Sequence, residues 1–183
     1  MTAALSKAAV ALSFAGGFLR PLTDGDVHTG YVNGLNDPDV NKFLVAVREQ
    51  EQTRTTVTDF VRNSIARDDE ILFGIWVEGE PLHCGTVRLH GIEHRFRTAM
   101  IGVCIFDKRV WGRGLGAKAI KAVTDWAHGT PKIRWIEAGT WIDNVASQKA
   151  FVAAGYEWVY DIPDKYLFEG RPTAVKMYAS RAR

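Results

Sequence analysis

The sequence is short of nearly everything that would mark a disulfide-stapled, metal-built or membrane-spanning chain. Only two of its 183 residues are cysteine, Cys84 and Cys104. Both lie in apolar, strand-like runs and read as buried thiols in a reducing compartment; a disulfide needs an oxidising one, and a metal site needs more ligands at tighter spacing. No apolar run approaches the roughly 20 residues of a membrane span. Neither sign of charge is in excess: 23 Lys and Arg face 21 Asp and Glu, a formal net charge of +2. That balance excludes composition-driven binding to nucleic acid or to an anionic membrane surface, while leaving room for a local basic pocket that takes one phosphorylated ligand. Repeats, low-complexity tracts and linkers are missing too, so one mixed α/β domain is expected.

What is present is core material: a hydrophobic fraction of 46%, with six Trp and nine Phe, ordinary for a globular domain. Residues 8–15 are apolar and follow Lys7, faintly like a short signal sequence. The strand expected at residues 18–22 would put cleavage at the domain edge. Residues 1–17 therefore read as an N-terminal extension or extra strand, residues 18–183 as the domain, and the chain as cytoplasmic. Thr23-Asp24-Gly25-Asp26 offers caps for a helix through Val27, Tyr31 and Val32. Asn36-Asp37-Pro38-Asp39 caps a second, and Val57, Phe60, Val61 and Ile65 mark a third over residues 54–67. The period then changes. Strands are expected at residues 71–77, 82–90 and 99–106, joined by short turns as an antiparallel meander. After them come a helix over 115–128 stopped by Gly129 and Pro131, a strand over 132–140, a helix over 145–154 ended by Gly155, and strands over 156–162 and 174–178.

The most informative stretch is Trp111-Gly112-Arg113-Gly114-Leu115-Gly116-Ala117, between a strand and an amphipathic helix. A helix start leaves about four N–H groups without intrahelical partners and carries roughly half a positive charge. Glycines ahead of it permit positive φ and close approach, which together make a cradle for phosphate or pyrophosphate. Arg113 and Lys118 can add charge. The same pattern can be a mere tight corner. It is not a P-loop, because no Gly-Lys-Ser/Thr follows. Nor is it the dinucleotide fingerprint, whose third glycine comes one residue later, despite Glu137 at a suitable distance downstream. A second segment pairs with it: Asn144 as helix cap, Ser147 three residues on, Gly155 at the helix end and Tyr156 packing back.

Together these segments resemble the GNAT superfamily of N-acetyltransferases, and within it the RimJ/RimL-like branch. The run from Ile101 to Ala117 resembles that branch's acetyl-CoA motif, Asn144…Ser147…Gly155-Tyr156 its partner motif, and Phe18-Leu-Arg-Pro-Leu-Thr with Asn36-Asp-Pro-Asp-Val its N-terminal part. The resemblance spans roughly residues 18–180. It implies a single α/β domain whose mixed central sheet, mostly antiparallel, is flanked by helices and splayed between two parallel strands. Acetyl-CoA would be the co-substrate, with no metal. Its pantetheine would lie against backbone near Ile105 and Phe106, and its pyrophosphate on the amides of Gly112, Arg113, Gly114, Leu115, Gly116 and Ala117. Asn144 would contact the pantetheine arm, and Lys149 would lie near the nucleotide end. In two places the sequence departs from the pattern. Trp111 stands where Gln or Arg is usual, and Phe151 where many members carry a Tyr that donates a proton.

Acetyl transfer to an amine needs a neutral amine, a polarised thioester carbonyl and a proton for the leaving thiolate. Ser147 is the candidate for the last role. The strand at 99–106 lacks the Glu that many relatives place there, so His90, Glu137 and His94 compete as base, each against its plain reading as a strand-edge polar residue. Cys104 as an acyl carrier has no visible paired base. The acceptor implied by the resemblance is a small-molecule primary amine, foremost one on a nucleotide-linked sugar, with Arg48, Arg54, Arg95 and Arg97 as candidates for its diphosphate. A protein N-terminal amine, a small amine or an antibiotic are the alternatives, as is a non-catalytic CoA-binding module. Monomer and homodimer both remain open.

Overall fold

The computed structural model describes residues 10–130 and 132–182. Eight strands form one sheet: β1 (Leu12–Phe14), β2 (Gly17–Pro21), β3 (Ile71–Val77), β4 (Gly85–Glu93), β5 (Thr98–Ile105), β6 (Trp135–Trp141), β7 (Glu157–Phe168) and β8 (Arg171–Arg181). Their order across the sheet is β1-β2-β3-β4-β5-β6-β8-β7. Every pairing is antiparallel except β5 with β6. A parallel pair needs a crossover, supplied by α5 (Leu115–Gly129), and α6 (Val145–Ala153) follows β6. The other helices, α1 (Thr29–Asn36), α2 (Pro38–Asn41), α3 (Val45–Arg48) and α4 (Arg54–Ala66), all precede β3.

The sheet is buried on both faces where it is widest, and β3 shows why its sequence is apolar throughout. Ile71, Phe73 and Ile75 join one core with Ala119, Ile120 and Val123 of α5. Leu72 and Trp76 point the other way, into a core with Tyr31 of α1 and Val57 and Val61 of α4. Burying each large apolar side chain in this way contributes about 1.5–3 kcal/mol. Gly74 lies between them because a Cβ there would stand 2.6 Å from Leu22 and from the Trp76 ring.

Several boundaries differ from expectation for local reasons. Asp26 accepts from the Thr23 amide at 2.7 Å and receives Arg20 at 2.6 Å, closing a 3-10 turn at Asp24–Asp26. Helix α1 therefore starts later, capped by His28, whose Nδ1 accepts from the Tyr31 amide at 3.2 Å. Strand β4 begins at Gly85 rather than residue 82, because the Cys84 carbonyl accepts from both Phe106 and Asp107 at 3.1 Å and ends the ladder there. Strand β6 starts at Trp135, after Lys132 turns left-handed at φ 56. The last two strands are much longer than expected. Glu169 and Gly170, at φ 52 and 76, make the tight turn between them. Pro163, which reads as a strand breaker, is tolerated because β7 is the sheet's edge. Pro131, the expected helix stop, and the start of the apolar stretch at Ala8 lie outside the described residues. No helix among the described residues is long and apolar enough to cross a membrane. Both cysteines are free thiols.

Candidate functional site

The sheet is interrupted at one place. Strands β5 and β6 pair only through Thr98↔Trp135, Ala99↔Ile136 and Met100↔Glu137. Beyond that rung β5 continues to Ile105 and β6 to Trp141 without pairing. The other edge of β5 stays zipped to β4 as far as Gly85↔Ile105. The Phe106 amide donates toward β4, to Cys84. Peptide groups of a strand alternate between its edges, so those of Ile101, Val103 and Ile105 face the gap.

The glycine loop stands at the top of that gap. Gly112 and Gly114 have φ of 76 and 69, and a Cβ on either would meet nothing within 4 Å. The backbone turn, not crowding, requires glycine there. Gly114 is the N-cap of α5 and supplies no side-chain cap, and the first turn carries no acidic residue. The first hydrogen bond back to the cap comes from Lys118, at 3.2 Å. The amides of Leu115, Gly116 and Ala117 thus have no intrahelical partner. Arg113 is exposed beside them. Lys118 is not available in the same way, since its Nζ reaches the Ala15 carbonyl at 3.2 Å.

Trp111 and Phe106 are placed differently from each other. The Trp111 indole N–H donates to the Ile105 carbonyl at 2.9 Å, on the gap edge. The Phe106 ring turns away into a cluster with Tyr31, His28 and His83, with centroids 4.7–5.9 Å apart. Phe106 therefore offers the gap neither its amide nor its side chain.

On the α5–α6 side of the gap, Asn144 caps α6 by accepting from the Ser147 amide at 3.1 Å. Gln148 donates to the Trp141 and Ile142 carbonyls at 3.1 and 2.8 Å, tying the helix to the end of β6. Lys149 is exposed on the same helix. Phe151 lies in the core at 2% exposure, edge-on to Tyr156 at 5.3 Å.

The opposite face carries the candidate bases. His90 is opposite Met100, and Met100 is opposite Glu137, so the three share one row across β4, β5 and β6. At about 4.8 Å per strand the outer two backbones are roughly 10 Å apart. The row is the last at which β5 and β6 are joined, so Glu137 borders the gap and His90 is one strand removed. Glu137 Oε1 accepts the Trp135 indole N–H at 2.8 Å. Burial, then the nearby Arg88, pushes the His90 imidazole below its ordinary pKa. His94 lies in the β4–β5 turn, at the other end of β5 from the glycine loop. Burial pushes the thiols up, Cys84 to about 11 and Cys104 to about 12, so neither is a ready nucleophile.

One part of the cleft had no local sequence signal. Phe43, from the α2–α3 link, stacks on Phe168 at 5.6 Å. Trp141 packs against Phe168 at 5.3 Å and donates to the Phe43 carbonyl at 3.1 Å. Tyr166 completes the wall, and Arg48 pairs with Glu169 at 3.3 Å. The four arginines considered for a diphosphate are not brought together: Arg48 is in this wall, Arg54 begins α4, Arg95 covers Phe96, and Arg97 precedes β5. A cavity of about 620 Å³ lies between α1, the β3–β4 turn and the loop carrying Lys108, Arg109 and Arg113.

Comparison with known proteins agrees with this architecture. The family described as acetyltransferase (GNAT) domain matches residues 18–157. A curated relative, Probable N-acetyltransferase YjcK of Bacillus subtilis (strain 168), is 32% identical over 145 residues, covering 76% of this chain and 79% of its own. Two solved structures share the fold. RimL, a ribosomal-protein acetyltransferase in complex with coenzyme A, is 18% identical with a TM-score of 0.82, over 94% of this chain and 98% of its own. The spermidine N-acetyltransferase of Vibrio cholerae in complex with CoA and spermine is 17% identical with a TM-score of 0.80, over 92% and 96%.

Proposed function

This chain belongs to the GNAT acetyltransferase family, and from that premise we propose that it transfers the acetyl group of acetyl-CoA to a primary amine by direct attack within a ternary complex. The observation that carries this reading is the parted pair β5–β6, which opens onto the uncapped start of α5. The residues fit such a co-substrate. The gap-facing peptide groups of Val103 and Ile105 suit an extended amide-bearing arm. The amides of Leu115, Gly116 and Ala117, with Arg113 beside them, suit a pyrophosphate.

The amine attacks the thioester carbonyl, the carbon–sulfur bond breaks, and the proton lost by the amine passes to a base while the thiolate takes one from an acid. A gap-facing backbone N–H of β5 polarises the carbonyl. Glu137 is the base this reading favours over His90, because it borders the gap and its carboxylate is oriented by Trp135. Ser147, in the first turn of α6, serves the leaving sulfur, where the positive helix end also favours a thiolate. Asn144 orients that turn, and Lys149 lies toward the nucleotide portion.

We assign the chain to the RimJ/RimL-like branch on its paired Gly-loop and Asn144…Ser147 segments. The acceptor proposed is the amine of a nucleotide-linked sugar, whose planar base and apolar sugar C–H face suit the Phe43–Trp141–Tyr166–Phe168 wall. Thiol release measured across nucleotide-linked amino sugars, polyamines and N-terminal peptides tests both parts. Turnover only with peptides or polyamines removes the sugar assignment. Absence of acetyl-CoA binding in calorimetry removes the whole reading.

A further inference from the structure

A second cavity, of about 600 Å³, lies at the N-terminal ends of β5 and β6 and is lined by Arg97, His128, Lys132, Arg134, Trp135 and Arg181 with Ala182. The glycine loop is at the other end of the same strands. Strand β5 is eight residues long, so at about 3.3 Å per residue the two places are roughly 25 Å apart. Among the described residues no acid lines this cavity. Arg181 has a distant partner, Glu157 at 4.0 Å. Arg97, Lys132 and Arg134 have no ion pair among the described residues.

The concentration of charge is out of proportion to the chain. Its net charge is +2, so without these four cations the remainder is net negative. Like charges drawn into one basin repel, and an anion between them turns the repulsion into attraction. The basin is also held in shape. The Arg97 carbonyl accepts from the amides of Arg134 and Trp135 at 2.7 and 3.3 Å. His128 donates from Nδ1 to the Ile133 carbonyl at 2.6 Å, and its Nε2 lies 3.0 Å from the Ser180 hydroxyl. Arg181 lies over the Trp135 ring at 5.1 Å.

We propose that this basin binds a small molecule carrying two or more adjacent phosphate groups. Its volume is that of a small-molecule pocket, about 300–1,000 Å³, and larger than one phosphate fills. Three arginines provide planar forks for phosphate oxygens, with Lys132 as a point charge. The basin is connected to the parted strands through one side chain. The Trp135 ring lines the basin under Arg181, and its N–H holds Glu137. A ligand that draws Arg181 away acts on the ring that orients the carboxylate. The assignment does not depend on acetyl transfer.

Calorimetry of the full chain with inorganic tripolyphosphate tests it. The double substitution Arg97→Gln/Arg134→Gln is expected to weaken binding at least about tenfold, with Arg181→Gln as a second variant should the first fold poorly. Arg113→Gln is expected to weaken only tripolyphosphate binding at the glycine loop and to leave the basin component, followed through Trp135 fluorescence, unchanged. Tryptophan fluorescence is expected to respond to tripolyphosphate in the native chain and not in Trp135→Phe. If the basin variants bind tripolyphosphate as the native chain does while Arg113→Gln abolishes binding, the anion sits only on the loop and the proposal falls. It falls equally if single-stranded RNA of a dozen nucleotides binds these residues more than tenfold tighter than tripolyphosphate, which would assign the basin to nucleic acid.

Discussion

The indole N–H of Trp111 is hydrogen-bonded to the carbonyl oxygen of Ile105 at 2.9 Å, so a side chain of the glycine loop already occupies a backbone acceptor at the mouth of the gap. A coenzyme arm that donates to the Ile105 carbonyl competes with it. A neutral hydrogen bond contributes about 1 kcal/mol net, about a fivefold effect on an equilibrium. Trp111→Phe is therefore expected to bind acetyl-CoA a few-fold more tightly in calorimetry. Weaker binding would mean that the indole helps to hold the coenzyme.

The loop glycines separate strain from ligand contact. Gly114 sits at φ 69, where a Cβ costs about 1–2 kcal/mol. Gly114→Ala is expected to lower the melting temperature by about 2–4 °C for each kcal/mol and to raise KM for acetyl-CoA. At Gly116 an added Cβ would make only ordinary contacts, 3.8 Å from Ile105 and 3.9 Å from Val103. Gly116→Ala should melt with the native chain, and any rise in KM there reports the ligand alone.

Glu137 and Trp135 make a testable pair. Glu137→Gln keeps the shape and the hydrogen bond from Trp135 but takes up no proton. Its kcat should fall by about 10²–10⁴, with KM for acetyl-CoA and melting temperature unchanged. Trp135→Phe leaves the carboxylate unheld and is expected to lose less. Full activity in Glu137→Gln would transfer the role to His90.

Acid stability should trace to His83, 2% exposed among Tyr31, Trp76 and Phe106. Burial first, and then His28, whose Nε2 is 3.2 Å from its Nδ1, pushes the His83 imidazole down to about 3. The unfolded chain takes that proton near pH 6.5. Between about 6.5 and 3 the unfolded state binds a proton that the folded state refuses, so stability is complete above that window and declines as pH falls through it. At about 1.4 kcal/mol per unit, the loss from this group between neutrality and pH 4 is on the order of 3 kcal/mol. His83→Phe should flatten that limb in urea titrations at pH 7, 5.5 and 4. An unchanged limb would place the acid sensitivity elsewhere.

What could be read in the sequence was what is local. The Gly112–Ala117 turn, the apolar face of α5 and the Asn144 cap are each written within a few neighbouring residues, and each forms much as its spacing implies. Contacts between distant segments left no such trace. Phe43, Trp141 and Phe168 meet across as many as 125 residues. Nothing near Trp111 shows that its indole would turn back to Ile105. Glu137 was visible as a candidate, but its place beside the gap follows from where β5 and β6 stop pairing, a property of the whole sheet. The β7–β8 hairpin runs past the strand ends expected at residues 162 and 174, and Pro163 falls on an edge strand, where its missing N–H is harmless.

The three rungs from Thr98–Trp135 to Met100–Glu137 make the sheet two blades on one short hinge, β1–β5 on one side and β6–β8 with β7 on the other. A coenzyme arm lying along β5 would serve as the missing rungs, so that the co-substrate stiffens the very scaffold that orients it. Amide protons of residues 103 and 105 should then exchange quickly in the free protein and become protected once the arm is in place.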